Sequence, residues 1–125
     1  MKMDCNEKGI EKTWQVIKKG GIAIFPTDTV YGIGCNPYNI NAVKKIYEIK
    51  SREKIKSLPV LAYSLDIVKE ITHIDSLTEK IIKKYWPGPL TLILKLTDKK
   101  LKKSLKLDKK IAVRIPDSKC TLKLL

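Results

Sequence analysis

The chain has 125 residues, 43% of them hydrophobic, and its 26 Lys and Arg against 13 Asp and Glu give a formal net charge of +13. This length suits one domain with a single core, the hydrophobic content excludes general disorder, and no apolar run approaches the roughly 20 residues that span a bilayer. The cationic excess suits a polyanionic partner such as a nucleotide or RNA, although a lysine-rich solvated surface would give the same composition.

The N-terminus and the cysteines bear on location and on metal chemistry. The first seven residues lack the apolar core of a signal peptide, so we expect a cytoplasmic protein. Three cysteines, Cys5, Cys35 and Cys120, are odd in number and far apart, which argues against a disulfide framework and against a zinc knuckle. Because His73 is the only histidine, we expect no protein-bound metal and no Ser/His/Asp or Cys/His catalytic constellation.

Helices and strands alternate along the chain. Apolar residues at helical spacing predict a helix over 7–19 that ends at Gly20-Gly21, and the apolar run 22–25 predicts a short buried strand. The elements predicted next are a helix to Lys50 capped by Asn39 or Asn41, a strand over 59–63 and a short helix from Ser64 to Glu70.

The second half continues this alternation. Ser76 to Glu79 has the spacing of a capping box and opens a helix that must end at Trp86-Pro87-Gly88-Pro89. That helix is expected to bury one side, formed by Leu77, Ile81, Ile82 and Tyr85. The elements predicted after it are a largely buried strand over 90–96, an exposed loop or frayed helix over 97–110, a strand over 111–115 and an amphipathic helix over 120–125. Strands alternating with helices predict an α/β fold without repeats.

A polar loop follows the first predicted strand, with the sequence Pro-Thr-Asp-Thr-Val-Tyr-Gly at 26–32. Open α/β sheets bind ligands at the carboxyl ends of their strands, and this loop offers two threonine hydroxyls, a carboxylate and a phenol there. Gly32 and Gly34 allow a sharp turn or close approach to a ligand. An ordinary turn, with Pro26 and an Asx-turn at Asp28, would have the same pattern.

Arg52 and Arg114 are the two arginines among the 26 cations. Arginine offers a rigid fork to carboxylate or phosphate, whereas lysine offers a mobile point charge. Arg114 stands inside an apolar strand, where a buried guanidinium needs an anion, either a protein carboxylate or a ligand. These two positions are therefore candidates for anion binding.

Four motifs in this order and spacing closely resemble the YrdC-like family of threonylcarbamoyl-adenylate synthases. They are Pro-Thr-Asp-Thr-Val-Tyr-Gly at 26–32, Lys-Ser-Arg at 50–52, Trp-Pro-Gly-Pro-Leu-Thr at 86–91 and Val-Arg-Ile-Pro at 113–116. The resemblance covers nearly the whole chain. It implies a twisted open mixed α/β sheet flanked by helices, with a concave, positively charged face. Its implied reaction condenses L-threonine, bicarbonate and ATP into threonylcarbamoyl-AMP with release of pyrophosphate, after which a partner complex transfers the group to the tRNA adenosine beside the anticodon.

The resemblance also implies roles for particular residues. It places Thr27, Thr29 and Tyr31 around L-threonine, with Arg114 on its carboxylate, and Lys50 and Arg52 on the ATP phosphates. No protein nucleophile is implied, because a carbamate formed from threonine and bicarbonate attacks the α-phosphorus while the protein positions reactants and neutralises charge. Magnesium would be held largely by the triphosphate. The Trp-Pro-Gly-Pro segment is expected to be an architectural corner.

Two departures from the family pattern leave alternatives open. Tyr63 stands at a position where the family commonly has a histidine, and it still offers a hydroxyl that could contact threonine. The family continues into further strands and a Ser-x-Asn motif that contacts ATP, so we expect residues 1–125 to be one incomplete YrdC-like domain. The alternatives are a module that binds double-stranded RNA or tRNA without catalysis, a carbamoyl-AMP-forming relative, and an orphan fragment that dimerises or aggregates. The lack of zinc-finger and acylphosphatase-like segments argues against the carbamoyl-AMP-forming relative.

Overall fold

Short helices and strands alternate in a computed structural model that describes residues 5–27, 31–50 and 58–125. In chain order they are α1 (Glu7–Lys18), β1 (Ala23–Phe25), β2 (Gly32–Gly34), α2 (Ile40–Lys50), β3 (Val60–Leu61), α3 (Leu65–Ile71), β4 (Thr72–His73), α4 (Ser76–Tyr85), β5 (Leu92–Leu96), α5 (Lys99–Ser104), β6 (Lys110–Arg114) and α6 (Lys119–Leu124).

The strands form a mixed sheet and a separate hairpin. Four strands lie in the order β3-β6-β5-β4, with β3 parallel to β6 and the other neighbours antiparallel. The other two strands, β1 and β2, pair antiparallel with each other. The predicted α/β class with an open mixed sheet is therefore confirmed.

The four-stranded sheet has one covered face and one open face. On the covered face Leu94 lies opposite Ile111, and both join a core with side chains from α2, α3, α4 and α5. On the open face Ile93 is 70% exposed and lies opposite Ala112. The prediction of a largely buried strand over 90–96 is wrong in this respect, because the helices of the described residues cover one side of the sheet and alternate residues of β5 face away from them.

The helix caps confirm most predicted boundaries. Asn39 is the cap of α2, since its Oδ1 accepts from the backbone N–H of Ala42 at 3.0 Å, and Ser64 caps α3. The predicted capping box of α4 is wrong by one position. Asp75 is the cap, because its carboxylate accepts from the Thr78 N–H at 2.7 Å, which also lowers the pKa of Asp75. Of the residues predicted to form the buried side of α4, Ile82 is buried, whereas Leu77 and Tyr85 are exposed. The buried side of this helix therefore includes fewer residues than predicted.

The lysine-rich tract 97–110 is more ordered than the sequence predicted. Asp98 caps the six-residue helix α5, on which Leu101 and Ser104 are buried while the lysines are exposed. The Ser104 hydroxyl donates to the Pro37 carbonyl at 2.6 Å, so the helix is attached to the segment that follows β2. Of the two predicted alternatives, the loop is wrong and the helix is confirmed in part, because the buried residues Leu101, Ser104 and Leu105 anchor a short helix among exposed lysines.

The β1–β2 hairpin differs from the short buried strand predicted at 22–25. Ile24 is 72% exposed, and the hairpin packs through the ring of Phe25. A Cβ added at Gly34 would stand 2.7 Å from that ring, and one at Gly32 would stand 3.2 Å from it. The two glycines therefore make room for Phe25 across the hairpin.

A disulfide joins Cys5 and Cys120, whose Cα atoms are 5.8 Å apart. The sequence argument against a disulfide is thus wrong. It relied on separation along the chain, 115 residues here, whereas α1 and α6 pack against each other and bring the two thiols together. Cys35 is the remaining cysteine and has a free thiol.

Candidate substrate site

A cavity of about 700 Å³ opens between α1, the β1–β2 hairpin, β3 and α6. Most of its lining is apolar, with Trp14 and Ile17 from α1, Val60 from β3 and Leu124 from α6. Polar side chains reach it at a few points: Lys18, Thr27, Asn36, Tyr63, Arg114 and Thr121. A mainly apolar cavity with a few placed polar groups is the usual form of a small-molecule site.

Three of the predicted site residues line this cavity, Thr27, Tyr63 and Arg114. They come from three parts of the chain: the segment after the hairpin strand β1, the segment after β3, and the last residue of β6. Tyr31 is 75% exposed and is not part of the lining. Thr29, Arg52 and the side chain of Lys50 lie outside the described residues.

Arg114 is held by the corner between α4 and β5. Its Nε donates to the Gly88 carbonyl at 2.8 Å, and its Nη2 is buried. The Gly88 N–H donates in turn to the Ile115 carbonyl at 2.9 Å. The backbone carbonyl of Gly88 thus bonds to Arg114 and its backbone N–H bonds to the next residue, Ile115. A Cβ at Gly88 would stand 2.6 Å from the Tyr85 carbonyl oxygen, which leaves no room for another residue. The corner fixes the plane of the guanidinium beside the cavity.

The same corner is held by contacts of its own. The peptide bond between Trp86 and Pro87 is cis, and the Trp86 indole N–H donates to the Leu90 carbonyl at 2.6 Å. Trp86 is also part of the hydrophobic core. The architectural role predicted for Trp-Pro-Gly-Pro agrees with these contacts, and the hydrogen bond to Arg114 is a further role that the sequence did not indicate.

Thr121 is a cavity residue that the sequence analysis missed. It lies in the first turn of α6, and its hydroxyl donates to the carbonyl of Pro26, the residue before Thr27. The two residues are 95 positions apart, and no local pattern connects them. A threonine on the buried side of an amphipathic helix was the one available signal.

Cys35 lines the cavity beside Gly34. Burial raises the pKa of its thiol to about 11, so the thiol is protonated at neutral pH. Because the thiolate is the reactive form, Cys35 is unsuited to nucleophilic catalysis. The cavity as described is therefore better suited to holding and orienting reactants than to covalent catalysis.

Basic side chains continue along the open face of the sheet from Arg114. In the strand register His73 pairs with Lys95, and Lys95 with Lys110, so the three form a row across β4, β5 and β6. Lys110 is four residues from Arg114, roughly 13 Å along the strand and on the same face. Within the described ranges neither lysine of the row forms an ion pair. Like charges directly opposite each other destabilise a sheet, so this row would favour an anionic partner.

None of the helices in the described residues is both long enough and apolar enough to cross a membrane.

Comparisons with known proteins agree on one family. Residues 15–125 match the Sua5/YciO/YrdC family model, described as telomere recombination. The chain is 41% identical over 96 residues to a putative threonylcarbamoyl-AMP synthase of Methanocaldococcus jannaschii, covering 74% of this chain and 46% of that protein. It is 32% identical over 125 residues to the threonylcarbamoyl-AMP synthase of Bacillus subtilis, covering 98% of this chain and 36% of that protein.

A solved structure gives the same result for the fold. The crystal structure of P. abyssi Sua5 complexed with L-threonine aligns with a TM-score of 0.84 and 31% identity, over 99% of this chain and 36% of the other. The chain thus spans half or less of the length of these three proteins.

Proposed function

The chain belongs to the Sua5/YciO/YrdC family, and from this premise we propose that it binds L-threonine in the described cavity and takes part in forming threonylcarbamoyl-AMP. The substrates would be L-threonine, bicarbonate and ATP, and pyrophosphate would be released. The product would serve the threonylcarbamoyl modification of tRNA through a partner transferase complex.

One observation carries the proposal: the Arg114 guanidinium and the Thr27 side chain line the same cavity. A guanidinium held in place beside a cavity suits a carboxylate, which accepts charge-assisted hydrogen bonds from it. Thr27 and Tyr63 offer hydroxyl groups to the same cavity. This combination suits an amino acid with a hydroxyl side chain, bound by its carboxylate at Arg114.

The proposed chemistry needs no nucleophile from the protein. The threonine amine and bicarbonate form a carbamate with loss of water, a carbamate oxygen then attacks the α-phosphorus of ATP, and pyrophosphate leaves. The chain would contribute by orienting threonine and by excluding water from the apolar cavity. Lys50 and Arg52 are proposed for the ATP phosphates, with Mg²⁺ held by the triphosphate itself.

The proposal is tested with the purified chain by L-threonine titration calorimetry and by pyrophosphate release from ATP, Mg²⁺ and bicarbonate. We expect saturable binding of L-threonine and release that depends on it. L-Valine, which has the same shape without the hydroxyl, should bind more weakly, because it cannot form the hydrogen bond that the threonine hydroxyl would make in the cavity. A chain that is folded by circular dichroism and binds no L-threonine would contradict the proposal.

A second candidate function is binding of double-stranded RNA or tRNA, favoured by the row of His73, Lys95 and Lys110 on the open face. If these side chains contact phosphates, the logarithm of affinity should fall linearly with the logarithm of salt concentration. Replacing Lys95 and Lys110 by alanine should reduce that slope by roughly one per lysine, whereas Lys80→Ala on α4 should leave it unchanged. Absence of RNA binding at low salt would exclude this candidate.

A further inference from the structure

Thr121 connects α6 to the segment that carries Thr27. We infer that it is a positioning residue for the threonine site: its hydroxyl holds the Pro26 carbonyl and thereby sets the position of Thr27. The inference rests on the proposed function, because it concerns the same cavity.

The Thr121 side chain is 1% exposed, so its hydroxyl has no access to bulk water. In a helix a threonine hydroxyl commonly bonds to a carbonyl three or four residues earlier. Thr72, the residue that follows α3, does this, donating to the Val68 carbonyl at 2.7 Å. Thr121 instead donates to Pro26, which belongs to a different part of the fold.

The acceptor residue makes this contact informative. The ring of a proline fixes its φ angle, so the orientation of the Pro26 carbonyl depends on one remaining backbone angle, ψ. The peptide group is planar, and the carbonyl of Pro26 therefore fixes the plane that includes the N–H of Thr27. A hydrogen bond to that carbonyl sets the direction in which the chain enters Thr27.

The donor is attached to a well-anchored element. Ser118 caps α6 by accepting from the Thr121 N–H, and Leu124 is buried at the other end of the helix. Cys120, the neighbour of Thr121, is bonded to Cys5 before α1. Because α1 also contributes Trp14 and Ile17 to the lining, Thr121 relates the position of Thr27 to the part of the cavity wall that α1 forms.

Three variants separate a positioning role from a merely structural one. Thr121→Val removes the hydroxyl and keeps the shape, Thr121→Ser keeps the hydroxyl, and Thr72→Val removes an equally buried hydroxyl-to-carbonyl bond that is not part of the cavity. Each is examined for urea stability, for the ¹³C signal of the Pro26 carbonyl without ligand, and for L-threonine affinity by calorimetry.

We expect Thr121→Val to shift the Pro26 signal and to weaken L-threonine binding about tenfold, with Thr121→Ser close to the wild type. Thr72→Val should lose stability but keep the wild-type affinity. An unshifted Pro26 signal in Thr121→Val would overturn the inference whether or not threonine binds. So would a shifted signal with unchanged affinity. A wild-type chain that binds no threonine would refute the proposed function, and with it the ligand role of Thr121, while the Pro26 signal separately reports the contact itself.

Discussion

Replacing Arg114 by alanine should weaken L-threonine binding by about 100-fold or more and abolish threonine-dependent pyrophosphate release. The substrate carboxylate would lose its charged partner in a mostly apolar cavity, and such truncations cost about 2–5 kcal/mol. Calorimetry and the pyrophosphate assay measure the two effects separately. L-threonine affinity and pyrophosphate release should decrease together, because both depend on threonine being bound in the cavity.

Arg114→Lys tests whether the fixed plane matters as well as the charge. Lysine keeps the charge, but it lacks the group that donates to Gly88 and the fork that matches a carboxylate. We therefore expect an affinity between those of the wild type and Arg114→Ala. Lys80→Ala removes one exposed cation from α4 and should bind threonine like the wild type. Wild-type affinity in Arg114→Ala would show that the carboxylate binds elsewhere.

Breaking the Cys5–Cys120 disulfide should lower the free energy of unfolding by about 2–4 kcal/mol. A cross-link between residues 115 positions apart restricts the unfolded chain strongly, because it closes a long loop in that state. The effect is measured by urea unfolding with and without a dithiol, which reduces the bond to two thiols and is itself oxidised to a disulfide.

Cysteine variants provide the controls for this measurement. Cys5→Ser and Cys120→Ser should each reproduce the effect of the dithiol, and the double variant should be no less stable than either one under reducing conditions. Cys35→Ser should leave the dithiol effect intact. The Cys5–Cys120 disulfide would be contradicted if all three thiols reacted in the chain unfolded without a reductant. Equal stability with and without the dithiol would contradict it as well.

The sequence was informative where a residue conflicted with its surroundings. Arg114 was identified because it interrupts an apolar strand, and Thr27 because a polar loop follows an apolar run; the structure brings both to one cavity. Helix caps such as Asn39 and Ser64 were predictable because capping depends on neighbours three residues apart.

What the sequence did not reveal depends on long-range contacts or on which sheet face is covered. The pairs Cys5–Cys120 and Thr121–Pro26 form only because α6 returns to the start of the chain. The strand over 90–96 was predicted to be largely buried, but among the described residues helices cover one face of the sheet, so alternate residues of β5 such as Ile93 are exposed. The structure places Tyr31 outside the cavity, so its predicted role as a threonine contact stays a prediction.

The Cys5–Cys120 bond has a topological consequence. It links positions 5 and 120, so the oxidised protein contains a covalent ring that includes the described helices α1 to α5 and strands β1 to β6 and reaches α6 at its first turn. A single backbone cut anywhere between the two cysteines opens the ring without releasing a fragment. In the ring α6 and α1 are consecutive elements, although they are the last and the first helix of the described residues, and both contribute side chains to the lining of the cavity.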